Sequence, residues 1–316
     1  MTAAIRTDGL TKHFPGVRAL EDLTIEVEEG SIYGFLGANG AGKTTAIKIL
    51  AGLSRPTNGS ATVAGVPLAA GESYKRAIGY LGQEPRFYGW MTGRQTLAYV
   101  AGFYPWVRDP LDRRIDEVLG LVGISDAADR QTRTYSGGMR QRLGIAQALI
   151  GRPQVLLLDE PASALDPVGR RQVLDLMAGL RTHATVFYST HILDDVQRVS
   201  DHVAILDKGR LVTAAPTQEL LSSFTHDRVR VVVRGADAST AAGLAGLSGV
   251  VSTTAVAVDG DAATFVLQAR EGSLDAVQRA VTRYAVETDL TLVENAPDRL
   301  ELEDVFLRLI NQERAA

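Results

Sequence analysis

The sequence contains no cysteine, which excludes disulfides and thiolate metal sites and fits a reducing compartment. Lysine is scarce: of the 33 basic residues only Lys12, Lys43, Lys48, Lys75 and Lys208 are lysine. There is no surplus of positive charge either. The net charge is −4 and the pI about 5.8, so no nucleic-acid partner is expected. No apolar run approaches the roughly 20 residues that span a bilayer. The opening MTAAIRTDGLTKHF lacks the apolar stretch of a signal peptide. Any membrane role is therefore expected to fall to a separate partner chain. Internal repeats and low-complexity tracts are absent too.

What the chain does have is length. Its 316 residues, 45% of them hydrophobic and 22% charged, are enough for a large core and point to two domains. Residues 1–223 read as alternating strands and helices. Strands are expected at 25–27 and 31–36, and a helix at 43–52. Further strands follow at 61–66 and 78–81. The stretch from about 92 to 150 turns helical, with segments at 92–104, 111–122 and 138–150. Alternation then resumes with strand 155–158, helix 168–180 and strands 184–188 and 203–206. Val-, Ile- and Leu-rich strands separated by helices predict an α/β fold with a mostly parallel sheet covered on both faces. Beyond Ser222-Ser223 a second domain, 224–316, reads as strand 229–233, helix 238–245 and strand 249–258. A turn at 259–261 leads to strand 264–267, helix 273–284, strand 288–293 and helix 300–309. That βαββαβ order with a trailing helix predicts a small ferredoxin-like α+β domain.

Three motifs carry chemistry. Gly37-Ala38-Asn39-Gly40-Ala41-Gly42-Lys43-Thr44 fits G-x-x-x-x-G-K-[ST] between an expected strand and an expected helix. Its glycines let backbone N–H groups curl round a phosphate, and the helix N-terminus favours an anion. Lys43 is expected on the β- and γ-phosphates and the Thr44 hydroxyl on Mg²⁺. Val155-Leu156-Leu157-Leu158-Asp159-Glu160 is a buried-type strand ending in two carboxylates. Asp159 suits a Mg²⁺ opposite the phosphate loop. Strand alternation sends Glu160 to the other side, where it would polarise an attacking water as general base. Tyr135-Ser136-Gly137-Gly138-Met139 is a helix start that Ser136 caps, its N-terminus open to an anion.

Together and in this order these motifs resemble the ATP-binding-cassette (ABC) ATPases, whose signature is L-S-G-G-Q; Tyr135 stands for the Leu and Met139 for the Gln. The resemblance runs from residue 1 to about 223 and implies a P-loop NTPase cassette with an antiparallel β subdomain and a helical subdomain at about 92–150. It implies ATP and Mg²⁺ held by the phosphate loop, Thr45 included. Phe14 would stack on adenine, and Gln83 would contact Mg²⁺ and sense the water. Asp159 would serve as metal ligand and Glu160 as base. His191 would sit on the γ-phosphate, and Asp166 would lie in a loop at the dimer interface. Asp166-Pro167 is also an ideal helix N-cap and first-turn pair. Departing from the family, Gly82 stands where Pro often precedes the glutamine.

The resemblance further implies that Ser136, Gly137 and Gly138 meet the nucleotide of a second, head-to-tail copy. It implies a separately encoded integral membrane permease, received near 84–91 with Phe87, Tyr88 and Trp90, and a place at the cytoplasmic face of the membrane. The ending Leu300-Glu301-Leu302-Glu303-Asp304-Val305-Phe306-Leu307 resembles the tail of ABC-2 drug and antibiotic exporters. The helix expected there carries an apolar stripe, Leu302, Val305, Phe306 and Leu309, for packing on its own sheet or for bracing a dimer. The alternative is a soluble ABC ATPase of cofactor assembly with no membrane partner.

Overall fold

The computed structural model describes residues 3–105, 110–225 and 227–298. These divide into two compact units between Thr217 and Gln218.

The first unit opens with strands β1 (Ala3–Phe14), β2 (Val17–Leu23) and β3 (Glu26–Glu28). β4 (Ile32–Gly37) and α1 (Lys43–Leu50) follow, then β5 (Asn58–Val63) and β6 (Val66–Pro67). β2, β1, β5 and β6 form an antiparallel sheet in that order, with β3 paired to β1. β1 and β2 were not legible as strands. Against β2, β1 changes register between Leu10 and Lys12 and again between Lys12 and His13, and it shifts once more against each of β3 and β5, which breaks the two-residue period that marks a strand.

After α2 (Glu72–Lys75) and β7 (Ile78–Leu81) come three helices, α3 (Gly93–Ala101), α4 (Leu111–Leu121) and α5 (Gly137–Leu149). α3 opens with a capping box. The Thr92 hydroxyl accepts from Gln95 N at 3.1 Å, and Thr92 N donates to the Gln95 side chain at 2.9 Å. The chain then alternates through β8 (Val155–Asp159), α6 (Pro167–Gly179), β9 (Thr185–Thr190), α7 (Leu193–Val199), β10 (His202–Asp207) and β11 (Arg210–Pro216).

The second sheet runs β11-β10-β4-β9-β8-β7, parallel except for β11. Every residue of β4, β8 and β9 is buried, the signature of strands covered on both faces. α1 lies between the two sheets. Ile47, Ile49 and Leu50 share one core with Phe35, Leu157 and Phe187 of the parallel sheet and with Ile5, Leu20 and Val63 of the antiparallel one. In that core the Phe187 ring stacks on Tyr33 at 5.6 Å and meets Phe35 at a tilt at 5.2 Å. Leu157 is fully buried at its centre. Leu157→Ala is expected to cost about 2–5 kcal/mol, read from the denaturant midpoint of this unit. A midpoint equal to wild type would contradict the packing.

α8 (Thr217–Thr225) leads into the second unit, which holds β12 (Arg228–Arg234), α9 (Thr240–Ala245), β13 (Val250–Asp259), β14 (Ala262–Ala269), α10 (Leu274–Glu287) and β15 (Thr291–Pro297). Its antiparallel sheet has the order β13-β14-β12-β15, a split βαβ arrangement. Val229, Val231, Val233, Phe265 and Leu267 of the sheet pack with Leu244 of α9 and with Val277 and Val281 of α10. α9 starts two residues later than the sequence predicts. The Asp237 carboxylate takes the N–H groups of Ser239 and Thr240 and holds a turn there. The helix expected at 300–309 lies outside the described residues.

Candidate functional site

β4 ends at Gly37 and α1 begins at Lys43, so the intervening loop delivers the first N–H groups of a helix to one spot. Gly42 occupies the N-cap with φ of 107° and offers no side-chain cap, leaving those donors to a ligand. Only glycine fits there. The backbone is left-handed, and a Cβ would run into the Ala19 carbonyl. Gly37 is closed in likewise, 2.5 Å separating an added Cβ from the Leu206 carbonyl. Ala41 is buried, and its carbonyl accepts from Gly209 N at 2.9 Å.

Lys43 is 4% exposed. It donates to the Gly37 carbonyl at 2.7 Å and the Ala38 carbonyl at 3.1 Å, and lies 3.5 Å from Glu160 Oε1. Burial pulls its pKa below the ordinary lysine value, while the Glu160 and Asp159 carboxylates pull it back up. Thr44 Oγ1 donates to Asp159 Oδ1 at 3.0 Å, and Ser189 Oγ donates to the same oxygen at 2.7 Å. A hydroxyl and a carboxylate meeting at the head of a phosphate loop are hard oxygen donors of the kind Mg²⁺ takes together with phosphate oxygens. Among the described residues no trio of His, Cys, Asp or Glu is arranged to hold a metal by itself. A divalent ion here would draw its remaining ligands from phosphate, water and a neutral side-chain oxygen such as that of Gln83.

Glu160 departs from the expected alternation. β8 ends at Asp159, and Glu160 adopts a left-handed backbone with φ of 48°. Its carboxylate is thereby brought to the phosphate loop instead of the opposite face, a conformation costing a non-glycine residue about 1–3 kcal/mol. Its backbone N–H donates to Ser189 Oγ at 3.0 Å. His191 Nδ1 lies 3.1 Å from Glu160 Oε2, and Gln83 Nε2 donates to the same oxygen at 3.4 Å. Asn39, Gly40, Gly42, Lys43, Thr44, Thr45, Gln83, Glu160 and His191 thus line one cavity of about 500 Å³.

Sequence reasoning missed part of this wall. Val17, Arg18, Ala19, Ser163 and Ala164 also line the cavity, and no residue-type signal marks them. Phe14 is not among the lining residues. It pairs with Val17 across the β1–β2 hairpin, is 46% exposed, and has Lys12 Nζ 4.8 Å above its ring.

Ser136 caps α5, its hydroxyl accepting from Met139 N at 3.2 Å, and Asp166 caps α6, accepting from Gly169 N at 2.9 Å. With Gly137 and Gly138 they line a second cavity of about 350 Å³. The two cavities have Ala164 in common. Ser136, Gly137, Gly138 and Asp166 are therefore brought together with each other, but not with Lys43 of the same chain.

A family model described as ABC transporter matches residues 20–163. The uncharacterised ABC transporter ATP-binding protein YxlF of Bacillus subtilis (strain 168) is 41% identical over 213 residues, 67% of this chain and 71% of the relative. The daunorubicin resistance ATP-binding protein DrrA3 of Streptomyces coeruleorubidus is 34% identical over 315 residues, 98% of this chain and 97% of the relative. A solved structure of the ATP binding subunit of an ABC transporter superposes with a TM-score of 0.62 at 29% identity, covering 71% of this chain and 93% of that one. With the phosphate loop, the paired carboxylates and the capped signature helix in place, the chain belongs to the ABC-transporter family as an ATP-binding, ATP-hydrolysing subunit.

Proposed function

We propose that this chain is the motor of an exporter, working as a two-fold pair of copies bound to a separately encoded membrane permease at the cytoplasmic face of the membrane. The observation that carries it is the separation of the two half-sites: the Ser136 helix and Asp166 open into a different cavity from Lys43 and Glu160. A head-to-tail second copy would set one chain's Ser136, Gly137 and Gly138 against the nucleotide held by the other.

In this arrangement the loop from Gly37 to Thr45 grips the phosphates through backbone N–H groups, and Lys43 turns from Glu160 to the β- and γ-phosphates. Thr44, Asp159 and Gln83 would hold Mg²⁺, which neutralises charge on the phosphate oxygens. Glu160 takes the proton of the attacking water as general base. His191 and Gln83, both bonded to the same oxygen of Glu160, keep that base aimed and sense the γ-phosphate. Phe14 stays accessible for the adenine ring. Loss of the γ-phosphate removes the bridge between copies, and the permease converts the parting into alternating access. Among the described residues no helix is long and apolar enough to cross a membrane. The resemblance to resistance relatives such as DrrA3 favours a transporter over the alternative of a membrane-independent cofactor-assembly ATPase.

The permease contact is assigned to an exposed aromatic ladder. Tyr88, Trp90, Tyr99 and Phe103 are 51–65% exposed. Their rings pack Trp90 on Tyr88, Tyr88 on Tyr99 and Tyr99 on Phe103 at 5.9, 6.3 and 5.5 Å. Export follows the resemblance to drug-resistance relatives such as DrrA3. In a pull-down from solubilised native membranes, a multi-span protein is expected to co-purify with wild type and to be lost with Trp90→Glu, nucleotide binding being kept. Capture of a soluble partner alone, or full retention by Trp90→Glu, would contradict the assignment.

A further inference from the structure

His191 and Asp166 sit in different cavities, yet one buried carboxylate lies between the elements that carry them. Asp195, in the first turn of α7, is 2% exposed. Its Oδ1 accepts from Arg170 Nε at 2.6 Å, and its Oδ2 accepts from Thr190 Oγ1 at 3.2 Å. The Thr190 hydroxyl in turn accepts from Ile192 N at 3.0 Å. Both neighbours of His191 are therefore tied, directly or through one hydroxyl, to Asp195. Arg170 belongs to α6, one turn after Asp166, the residue that caps that helix. Burial pushes the Asp195 carboxyl up, and the Arg170 guanidinium opposes the shift. A second α6–α7 ion pair, Arg198 to Asp175 at 2.9 Å, is exposed and so is a weak tie.

Asp195 is buried while Arg170 is 27% exposed. Such a pair is a poor source of stability, because desolvation of the carboxylate offsets the attraction, and a matched apolar pair would serve packing as well. Its use here is positional. We infer that Arg170 and Asp195 form a positioning pair that couples the Asp166 end of α6 to the His191 segment, so that docking of a second copy at Asp166 sets the histidine at the γ-phosphate. This rests on the roles proposed above for His191 and Asp166. Neither residue of the pair lines the phosphate cavity, so the ground-state grip on nucleotide should not depend on them.

The test is steady-state ATP hydrolysis and MgADP affinity of the full chain carrying Arg170→Met with Asp195→Leu, beside Asp195→Asn and His191→Ala. The apolar double variant is expected to keep the thermal midpoint and MgADP affinity of wild type while kcat falls at least tenfold at unchanged KM for ATP. Asp195→Asn, nearly isosteric, is expected to show the same kcat-against-KM split and keeps the test decisive if the double variant does not fold. Wild-type kcat in either variant, with His191→Ala inactive, overturns the coupling alone. An active His191→Ala removes the γ-phosphate role from His191, and the coupling with it. A fall in KM-related affinity and stability together would reduce the pair to a structural one.

Discussion

Glu160→Gln is expected to leave ATP bound and to stop its turnover. The amide keeps the shape and the left-handed backbone of Glu160 but cannot take a proton from water. General-base catalysis contributes about 10²- to 10⁴-fold, and a loss of that size in kcat is expected. Binding should hold or tighten. Glu160 Oε1 lies 3.5 Å from Lys43 Nζ, so the wild-type carboxylate would compete with a bound phosphate for the ammonium. Removing its charge frees Lys43 at a buried site where Coulomb terms are strong. Unable to release the γ-phosphate, two copies are expected to remain joined. Phosphate release at saturating MgATP and gel filtration with MgATP against MgADP check both halves. Turnover close to wild type would take the base role away from Glu160.

Lys43→Met is expected to act at the earlier step. The methionine retains length and apolar bulk but removes the ammonium and its bonds to the Gly37 and Ala38 carbonyls. A hydrogen bond to a charged group is worth about 1.5–3 kcal/mol, and each 1.4 kcal/mol is tenfold in Kd. MgATP affinity should therefore fall by about 10- to 100-fold, with a smaller loss for adenosine, which has no phosphate. Titration of a fluorescent ATP analogue, with adenosine competition, reads both. Equal losses for the two ligands would mean that the variant distorts the whole cavity, and no loss would remove Lys43 from the phosphate. The same variant leaves the Glu160 carboxylate, 8% exposed, without its cation, so a lowered thermal midpoint should accompany the binding defect.

The parts of this architecture that sequence could carry were those where one constraint dominates. β7 falls at 78–81 as expected. The apolar run 155–158 was legible because β8 is covered on both faces, and β8 goes one residue further, to Asp159. The phosphate loop was legible because glycine alone tolerates its backbone. β11 was not: it is an edge strand whose residues are mostly half-exposed, so burial imposes no pattern on Arg210–Pro216. α7 is seven residues long with two aspartates in its first turn, too short to show a helical period. In the site, Glu160 stands beside Lys43 and not on the opposite face that the sequence predicts, since period-two reasoning ends where the strand ends. Val17, Arg18 and Ala19 entered the cavity through the pairing of β1 with β2, a tertiary fact without a local residue signal.

The phosphate loop is also walled in by backbone from elsewhere: Leu206 of β10 against Gly37, Ala19 of β2 against Gly42, and Gly209 N on the Ala41 carbonyl. Those supports come from two parts of the chain far apart in sequence, Ala19 and the stretch 206–209, and so from both sheets of the first unit. The eight-residue motif is consequently no portable cassette of its own. Grafted on to a foreign strand–helix corner it would carry the right letters and lose its curvature, whereas a transplant that brought the ends of β2 and β10 with it would carry the mould as well as the casting.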